Sequence, residues 1–226
     1  LEPLSAQHVD TGMGLERICR VLQGVDSNYS TDLFIPILDS ISEVTGQTDS
    51  GREVSVAYRV IADHLRSLSF AIADGALPSN EGRGYVLRRM LRRATRFGRV
   101  LNMHEPFIYK LVPILSAVMG DAFPEINKQK KHIQNVIKAE ETSFGLTLDR
   151  GLEIFEKMAA TSETISAKKL SGENAFKLYD TYGFPLDLTE DILKNKSLTV
   201  DSDKFDLLMK ESKELAKKNW KGSGDS

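Results

Sequence analysis

Apolar side chains recur every three or four residues along most of the chain, which is the spacing of one face of an α-helix. Only two short stretches, HVD near the start and SLTVD near the end, favour an extended strand. The pattern therefore predicts a mainly α protein with a small strand-containing remnant at the N-terminus. The predicted helices begin at about residue 15 and then cover 31–45, 53–74, 83–99, 105–119, 125–160, two short segments within 171–194, and 203–219.

Capping residues, glycine and proline mark where these helices should begin, bend and end. Ser30 or Thr31 is the expected N-cap of the second helix, and Gly46 is its expected end. Pro113 predicts a kink in the fifth helix, because proline removes a backbone donor. The polar segment 161–172 has the composition of a linker, and it is the best candidate for a domain boundary.

The composition is that of an ordinary globular protein. The chain has 226 residues, 41% hydrophobic and 27% charged, with a formal net charge of −2, which suits one large or two small domains. No run of about 18 apolar residues exists, so no membrane-spanning segment is predicted. Cys19 is the only cysteine, which excludes an internal disulfide and favours a reducing, cytoplasmic location. The chain begins with Leu1 rather than Met, so we expect an internal piece of a longer protein.

The predicted helix over 83–99 carries seven arginines and no acid. Most of them fall within an arc of roughly 140° on a helical wheel, and apolar residues occupy the opposite side. Like charges four residues apart destabilise a helix, so an anionic ligand is the expected compensation. Guanidinium groups bind phosphate oxygens two at a time, which favours nucleic acid as that ligand. The candidates are Arg83, Arg88, Arg89, Arg92, Arg93, Arg96 and Arg99.

Other interpretations of this arginine face stay open. Acidic side chains of another helix could cover it, or water alone could solvate it. As a binding surface, it could belong to a helical scaffold that contacts an acidic protein partner, or it could bind DNA. Binding measured against salt separates these cases, because contacts with nucleic-acid phosphates weaken steeply as salt rises.

A glycine turn near the start, DTGMGLER over residues 10–17, offers a second signal for an anion. Gly12 and Gly14 allow the backbone to approach a ligand closely. Arg17 follows in the first turn of the predicted helix, and a helix N-terminus beside an arginine suits a triphosphate. The same residues are equally consistent with a structural turn in which Arg17 pairs with Glu16 or another acid.

Several strings resemble the alanyl-tRNA synthetase family, in the order of that family. VDTGMGLERI is similar to motif 3 of class II aminoacyl-tRNA synthetases, and the later strings are VDSNYSTDLF, RVIADHLRS, IADGALPSNEGRGYVLRRMLRRATR, KAEETSF and LYDTYGFPLDLT. The resemblance covers nearly the whole chain, but it includes neither class II motifs 1 and 2 nor an HxxxH editing site. It implies that 1–25 ends the class II catalytic core, that 26–162 is a helical tRNA-binding subdomain, and that 163–226 is a smaller, mostly helical subdomain.

The resemblance implies a partner, the acceptor stem of alanine tRNA with its guanine–uracil wobble pair. The family reads that pair with an Asn of the PSNE loop and an Asp of LYDTYGFP, which correspond to Asn80 and Asp180. The wobble pair leaves the guanine 2-amino group free in the wide, shallow minor groove of A-form RNA. A carboxylate accepts hydrogen bonds and an amide both donates and accepts, which suits that edge. Without the resemblance, Asn80 would be interpreted as a turn residue and Asp180 as a surface acid or cap.

For the parent enzyme, the resemblance implies activation of alanine with ATP and Mg²⁺, followed by transfer to the tRNA 3′ end. Arg17 corresponds to the motif 3 arginine that contacts ATP, and Gly12 and Gly14 belong to the turn beside it. Zinc is expected only in other parts of the parent, and no metal site is expected in this chain. The rest of the same polypeptide is then a further partner. We expect the chain alone to be inactive and roughly its first twenty residues to be irregular.

Overall fold

The structure is a computed structural model, and it describes residues 11–219. Most of the described residues lie in helices, so the mainly α prediction is confirmed. Two single 3₁₀ turns, Asn28–Ser30 and Ile108–Leu111, precede α2 and α5. The elements in chain order are α1 (Leu15–Gln23), α2 (Ile35–Thr45), α3 (Arg52–Ala73), α4 (Gly82–Val100), α5 (Val112–Met119), α6 (Pro124–Ala159), α7 (Ser162–Ala167), β1 (Lys169–Leu170), α8 (Gly172–Tyr182), α9 (Leu186–Asn195), β2 (Thr199–Val200) and α10 (Ser202–Asn219).

The two strands form a small parallel sheet in the C-terminal part of the chain. Lys169 pairs with Thr199, and Leu170 pairs with Val200. The stretch SLTVD forms β2 as predicted, whereas β1 was missed because it arises within the polar segment 161–172. That segment, predicted as a linker, contains α7 and β1 instead. The strand predicted within HVD lies outside the described residues.

The start of α1 and the start of α2 both differ from the prediction. The helix α1 begins at Leu15, so the expected irregular structure does not extend over residues 15–20. The N-cap of α2 is Phe34 rather than Ser30 or Thr31. Ser30 and Thr31 close the preceding 3₁₀ turn instead, where the Thr31 hydroxyl donates to the carbonyl oxygen of Asn28 at 2.6 Å.

The predicted helix end at Gly46 is confirmed, and the predicted kink at Pro113 is wrong. Gly46 ends α2 with a φ of 67°, a left-handed conformation that glycine adopts without steric strain. Pro113 does not bend a helix, because it lies in the first turn of α5. An amide N–H at that position has no partner within the helix, so its absence costs nothing.

Buried side chains form two hydrophobic cores that share the long helix α6. The first core combines α2–α5 with the first half of α6 and includes Ile61 and Ile137. The second combines the later half of α6 with α8 and α9 and includes Phe144 and Phe184. A Cβ at Gly151 would lie 2.4 Å from the ring of Phe184, so glycine is needed for this close packing. The cores place α8 and α9 beside α4, and the three-domain division stays a prediction.

Candidate nucleic-acid interface

The arginine helix α4 packs against α3 and α6. Its apolar side enters the first core through Leu87, Leu91 and Ala94, which are all buried. Val86, which the helical wheel placed on the same side, is 44% exposed. The buried stripe holds the helix in one rotation about its axis, and that rotation directs the arginines towards α6 and α9.

The loop that carries Asn80 is held against the start of α4. The backbone N–H of Ser79 donates to the carbonyl oxygen of Gly84 at 3.0 Å. A Cβ at Gly84 would lie 2.4 Å from the carbonyl oxygen of Leu77, so the loop and the helix approach closely because residue 84 is glycine. Asn80 therefore projects from a loop whose backbone the helix positions.

The polar side of α4 faces the protein's own carboxylates, so the alternative in which acids of other helices cover the arginine face describes most of it. The acids come from α6 and α9, which lie far along the chain and reach α4 only through folding. Asp187 and Asp191 are four residues apart on α9, as Arg89 and Arg93 are on α4, and they therefore form two successive ion pairs. The ion pairs are Arg88–Glu140 (3.1 Å), Arg92–Glu140 (3.0 Å), Arg89–Asp187 (3.1 Å), Arg93–Asp191 (2.8 Å) and Arg99–Asp149 (2.5 Å).

Glu140 connects the two sides of the arginine face. Arg92 Nε donates to Glu140 Oε1 at 3.0 Å, and Arg88 Nε lies 3.1 Å from the same oxygen. At its other end, Arg88 donates to Asn80 Oδ1. Arg92 Nη1 donates to the carbonyl oxygen of Gly183 at 2.6 Å. A continuous series of polar contacts therefore runs from Asn80 to the turn between α8 and α9.

Among residues 11–219, two arginines of the helix form no ion pair. Arg83 is exposed in the first turn of α4. The Arg96 guanidinium lies over the ring of Phe97, 5.0 Å from its centroid. Burial lowers the pKa of Arg96, and the charges of Asp191 and Glu53 oppose that shift without contacting it. These two side chains can therefore bind an anion without first breaking an ion pair.

Asn80 and Asp180, the predicted base-reading residues, line one cleft of about 330 Å³. They are one hundred positions apart in the sequence. Asn80 precedes α4 and Asp180 lies in the last turn of α8, and both side chains are exposed. Tyr85 and Tyr179 add aromatic surface to the same cleft. We call this the reader cleft; its other lining residues are Arg88, Arg89, Arg92, Gly183 and Pro185.

The reader cleft combines basic and acidic side chains. The lining contains three guanidinium groups and one carboxylate, that of Asp180. Burial raises the pKa of the Tyr85 hydroxyl, and Tyr179 and Asp187 act in the same direction. Burial also raises the pKa of Asp187, although the guanidinium of Arg89 opposes it. Because Glu140 and Asp187 already pair with these three arginines, a phosphate backbone would meet only the N–H groups that the ion pairs leave free.

The glycine turn leads into α1 as the sequence predicted. Gly14 is the N-cap of α1 and no side chain caps the helix, while Gly12 and Arg17 are exposed. Glu16 contacts Arg66 at 2.5 Å rather than Arg17, so the first partner considered for Arg17 is wrong. An exposed guanidinium beside an uncapped helix N-terminus fits a phosphate group. Asp10 lies outside the described residues.

The acids that cover α4 were missed in the sequence, although one signal was present. The four-residue spacing of Asp187 and Asp191 matches that of Arg89 and Arg93, which is the pattern expected of two facing helices. Glu140 gives no comparable signal, because a single acid in a long helix usually faces water. Its 9% exposure results from the packing of α6 against α4.

The described residues contain neither a cluster of metal ligands nor a membrane-spanning helix. Across 11–219, no group of three or more His, Cys, Asp or Glu side chains is arranged to hold a metal ion. None of the helices in that range is both long enough and apolar enough to cross a bilayer.

Comparison with known proteins identifies the family. The sequence profile of the family described as tRNA synthetases class II (A) matches residues 1–226. The chain therefore belongs to this family of class II tRNA synthetases, and the resemblance found from its motifs is confirmed.

The relatives include bacterial alanine–tRNA ligases. The ligase of Chlorobium phaeobacteroides is 51% identical over 222 residues, covering 97% of this chain and 25% of that protein. The ligase of Christiangramia forsetii is 52% identical over 219 residues, 96% of this chain and 25% of that protein. The ligase of Rickettsia rickettsii is 51% identical over 224 residues, 99% of this chain and 25% of that protein. The chain spans about a quarter of the length of these curated relatives.

Proposed function

We propose that this chain is the part of an alanine–tRNA ligase that binds the acceptor stem of alanine tRNA, joined to the end of its class II catalytic core. The observation that supports this most directly is the reader cleft. Asn80 and Asp180 come from different helical units, and yet both line it. The names of the relatives supply alanine as the amino acid, and a ligase of this kind would act in the cytoplasm.

The hydrogen bonds of Asn80 suggest how the cleft reads a wobble pair. A guanidinium only donates, so the Asn80 atom that Arg88 contacts is the amide oxygen. The amide nitrogen then remains to donate to a carbonyl of the base pair. Asp180 can only accept, which suits the guanine 2-amino group. The two residues would thus read a carbonyl and an amino group of one pair.

The arginine face takes a revised role in this proposal. Five of its arginines are engaged with carboxylates, so they hold the cleft together and present only their remaining N–H groups to phosphate. Arg83 and Arg96 have no such carboxylate among the described residues. The rival function, a scaffold for an acidic protein partner, needs the open strip that the carboxylates cover.

The catalytic contribution of the chain would be the end of an ATP site. Arg17 would contact a phosphate of ATP, with Gly12 and Gly14 beside it, and Mg²⁺ would be held mainly by other parts of the parent enzyme. In that enzyme, ATP supplies the energy that activates alanine before transfer to tRNA. Gly12, Gly14 and Arg17 are exposed and do not form an enclosed site. The chain alone should therefore not charge alanine tRNA. Any measurable alanylation by the purified chain would contradict this.

Binding of RNA hairpins against salt tests the proposed function. A hairpin copy of the acceptor stem should bind, and log K should fall by roughly 0.7 to 0.9 per phosphate contact for each tenfold rise in salt. A stem in which guanine–cytosine replaces the wobble pair should bind more weakly. Equal binding of the two stems would contradict recognition of the wobble pair, and binding that does not respond to salt would favour the scaffold.

A further inference from the structure

A second cleft, of about 550 Å³, lies at the other end of the contact between α4 and α9. The start of α3, the second half of α4 and the end of α9 line it. No sequence motif indicated it, because its residues come from three separate segments. Its charged lining residues are Arg52, Glu53, Arg93, Arg96, Asp191 and Lys194.

Arg96 is the side chain on which this cleft depends. Its guanidinium lies over the ring of Phe97, is partly withdrawn from water, and forms no ion pair within residues 11–219. Glu53 and Asp191 are near enough to favour its charge, but neither lies within ion-pair distance. Its donors have no carboxylate partner among the described residues, so an anion in the cleft would accept hydrogen bonds from them.

Arg93 adds donors at the same place. Its Nη2 lies 2.8 Å from Asp191 Oδ2, but neither this oxygen nor Arg93 Nε has a hydrogen-bond partner of acceptable geometry. Hydrogen bonds weaken steeply as their alignment worsens, so this contact is weaker than its short distance alone would indicate. The Arg93 guanidinium can therefore turn part of its donor edge towards a ligand without losing a well-formed contact.

The charge of the cleft selects the class of ligand. Four cationic side chains face two carboxylates, which leaves a net positive charge. Arg52 and Lys194 are exposed at its edge, where they can contact an anion that enters from solvent. A phosphate group carries charge of the right sign and presents several oxygens to two guanidinium groups at once.

The position of the cleft relates it to the reader cleft. Arg89 lines the reader cleft and Arg96 lines the second one. Seven residues of helix separate them, which is about 10 Å along the axis at 1.5 Å per residue. The ion pairs Arg89–Asp187 and Arg93–Asp191 lie between the two clefts. A nucleic-acid end held in the reader cleft would bring further phosphates near Arg96.

We propose that the second cleft is a phosphate-binding site, in which Arg96, Arg93, Arg52 and Lys194 hold a backbone phosphate of the RNA bound at the reader cleft. The RNA part of this proposal rests on the proposed function, whereas phosphate binding by the cleft does not. Its contribution is to affinity rather than to sequence choice, because a phosphate contact carries no base information.

The test compares Arg96→Gln and Lys194→Gln with Lys131→Gln in the full chain. Lys131 is exposed on α6. The nearby Gln129 contacts the C-terminal end of α3, whereas Arg52 of the second cleft lies at the N-terminal end of that helix. Arg96→Gln should weaken wobble and Watson–Crick hairpins by the same factor and reduce the salt slope by about one. Lys194→Gln should act in the same direction, and because its side chain is exposed it should leave folding unchanged. Lys131→Gln should change neither measurement.

A second measurement uses inorganic phosphate in place of RNA. Phosphate should raise the unfolding temperature of the wild type and of Lys131→Gln, and it should raise that of Arg96→Gln less. A phosphate effect without any hairpin effect would overturn the RNA assignment and leave a site for free phosphate. If both cleft variants keep the wild-type hairpin affinity and the wild-type response to phosphate, the proposed site is wrong. If the wild type does not distinguish the two stems, the proposed function fails. The phosphate measurement still tests whether the second cleft binds phosphate.

Discussion

Among the described residues, the arginines of α4 have two different roles: those in the middle of the helix form ion pairs, and Arg83 and Arg96 do not. In the middle, Arg88 and Arg92 share Glu140, so they join α4 to α6. Arg83, near the start, is exposed, and Arg96 lies in a cleft without a carboxylate partner in the described residues. The number of arginines in a segment therefore does not measure the charge that it presents; the acids within reach decide that.

This difference has an energetic basis. A guanidinium withdrawn from water is costly unless a carboxylate or another acceptor replaces the lost hydration. The middle of α4 meets that requirement within the protein, and it has therefore become part of the structure. At Arg83 and Arg96, water or a ligand has to supply the hydrogen-bond acceptors. Four sets of measurements test this difference.

Removal of the shared acid should have the largest effect. Glu140→Ala leaves two half-buried guanidinium groups without their carboxylate, so the free energy of unfolding should fall by about 3 kcal/mol. Denaturant unfolding measures it. Glu153→Ala is the matched control, since Glu153 lies exposed on the same helix and its ion pair within the described residues is with Lys157, so its loss should be far smaller. Similar losses for both variants would show that the Glu140 pairs are not structural.

The neighbouring Glu141 shows the effect of burial on a carboxylate that pairs with no arginine of the described residues. It accepts hydrogen bonds from the backbone N–H groups of Phe107, Ile108 and Tyr109 and has no arginine partner. Burial raises its pKa from 4.5 to about 7, although those backbone donors oppose the shift. The folded state therefore binds this proton more tightly than the unfolded state does.

Stability should consequently depend on pH. The contribution of the Glu141 proton is complete below about pH 4.5 and is lost as the pH rises through about 7, a change of about 3 kcal/mol. Unfolding free energies of the wild type and Glu141→Gln, measured from pH 4.5 to 8, give the test. The difference between them should change over that interval, and parallel profiles would contradict the expectation.

The two residues of the reader cleft should affect discrimination rather than stability. Asn80→Ala and Asp180→Ala should each reduce the preference for the wobble stem by about 1–3 kcal/mol, if discrimination in the RNA groove is on the scale of direct base contacts. Hairpin titrations measure both stems. Asp206→Ala, which removes an exposed acid of α10, is the control. Equal losses on the two stems would assign Asn80 and Asp180 to general binding.

Arg83 should give the smallest effect. It is exposed, so Arg83→Ala should change the free energy of unfolding by no more than about 0.5 kcal/mol. Binding of both stems should weaken equally, with a salt slope lower by about one, because one phosphate contact is lost. An unchanged slope would mean that the exposed start of α4 does not contact the RNA.

Local features were predicted well because their causes are local. Helical periodicity located α3, α4, α6 and α10, and Gly46 marked the end of α2. Pro113 was misinterpreted because a proline is compatible with both a kink and a first turn. The strand β1 was missed because two residues that pair with a distant segment leave no periodic pattern.

The candidate site divides in the same way. The motifs singled out Asn80 and Asp180, and packing places both at one cleft. The sequence left open whether acids cover the arginine face, because Glu140 lies 48 residues beyond Arg92 and no local pattern indicates that the two meet. The second cleft was only partly indicated: Arg93 and Arg96 belong to the predicted arginine face, whereas Arg52 and Lys194 stand in unrelated segments.

By itself, the sequence determined which segments are helices, which faces of them are apolar, and which side chains carry charge, since these depend on neighbours within a few residues. Only the tertiary structure decided which of those charges are neutralised. Ion pairing depends on distance in space, and the packing of α6 and α9 against α4 brings acids from remote positions to some arginines and leaves Arg83 and Arg96 to other partners.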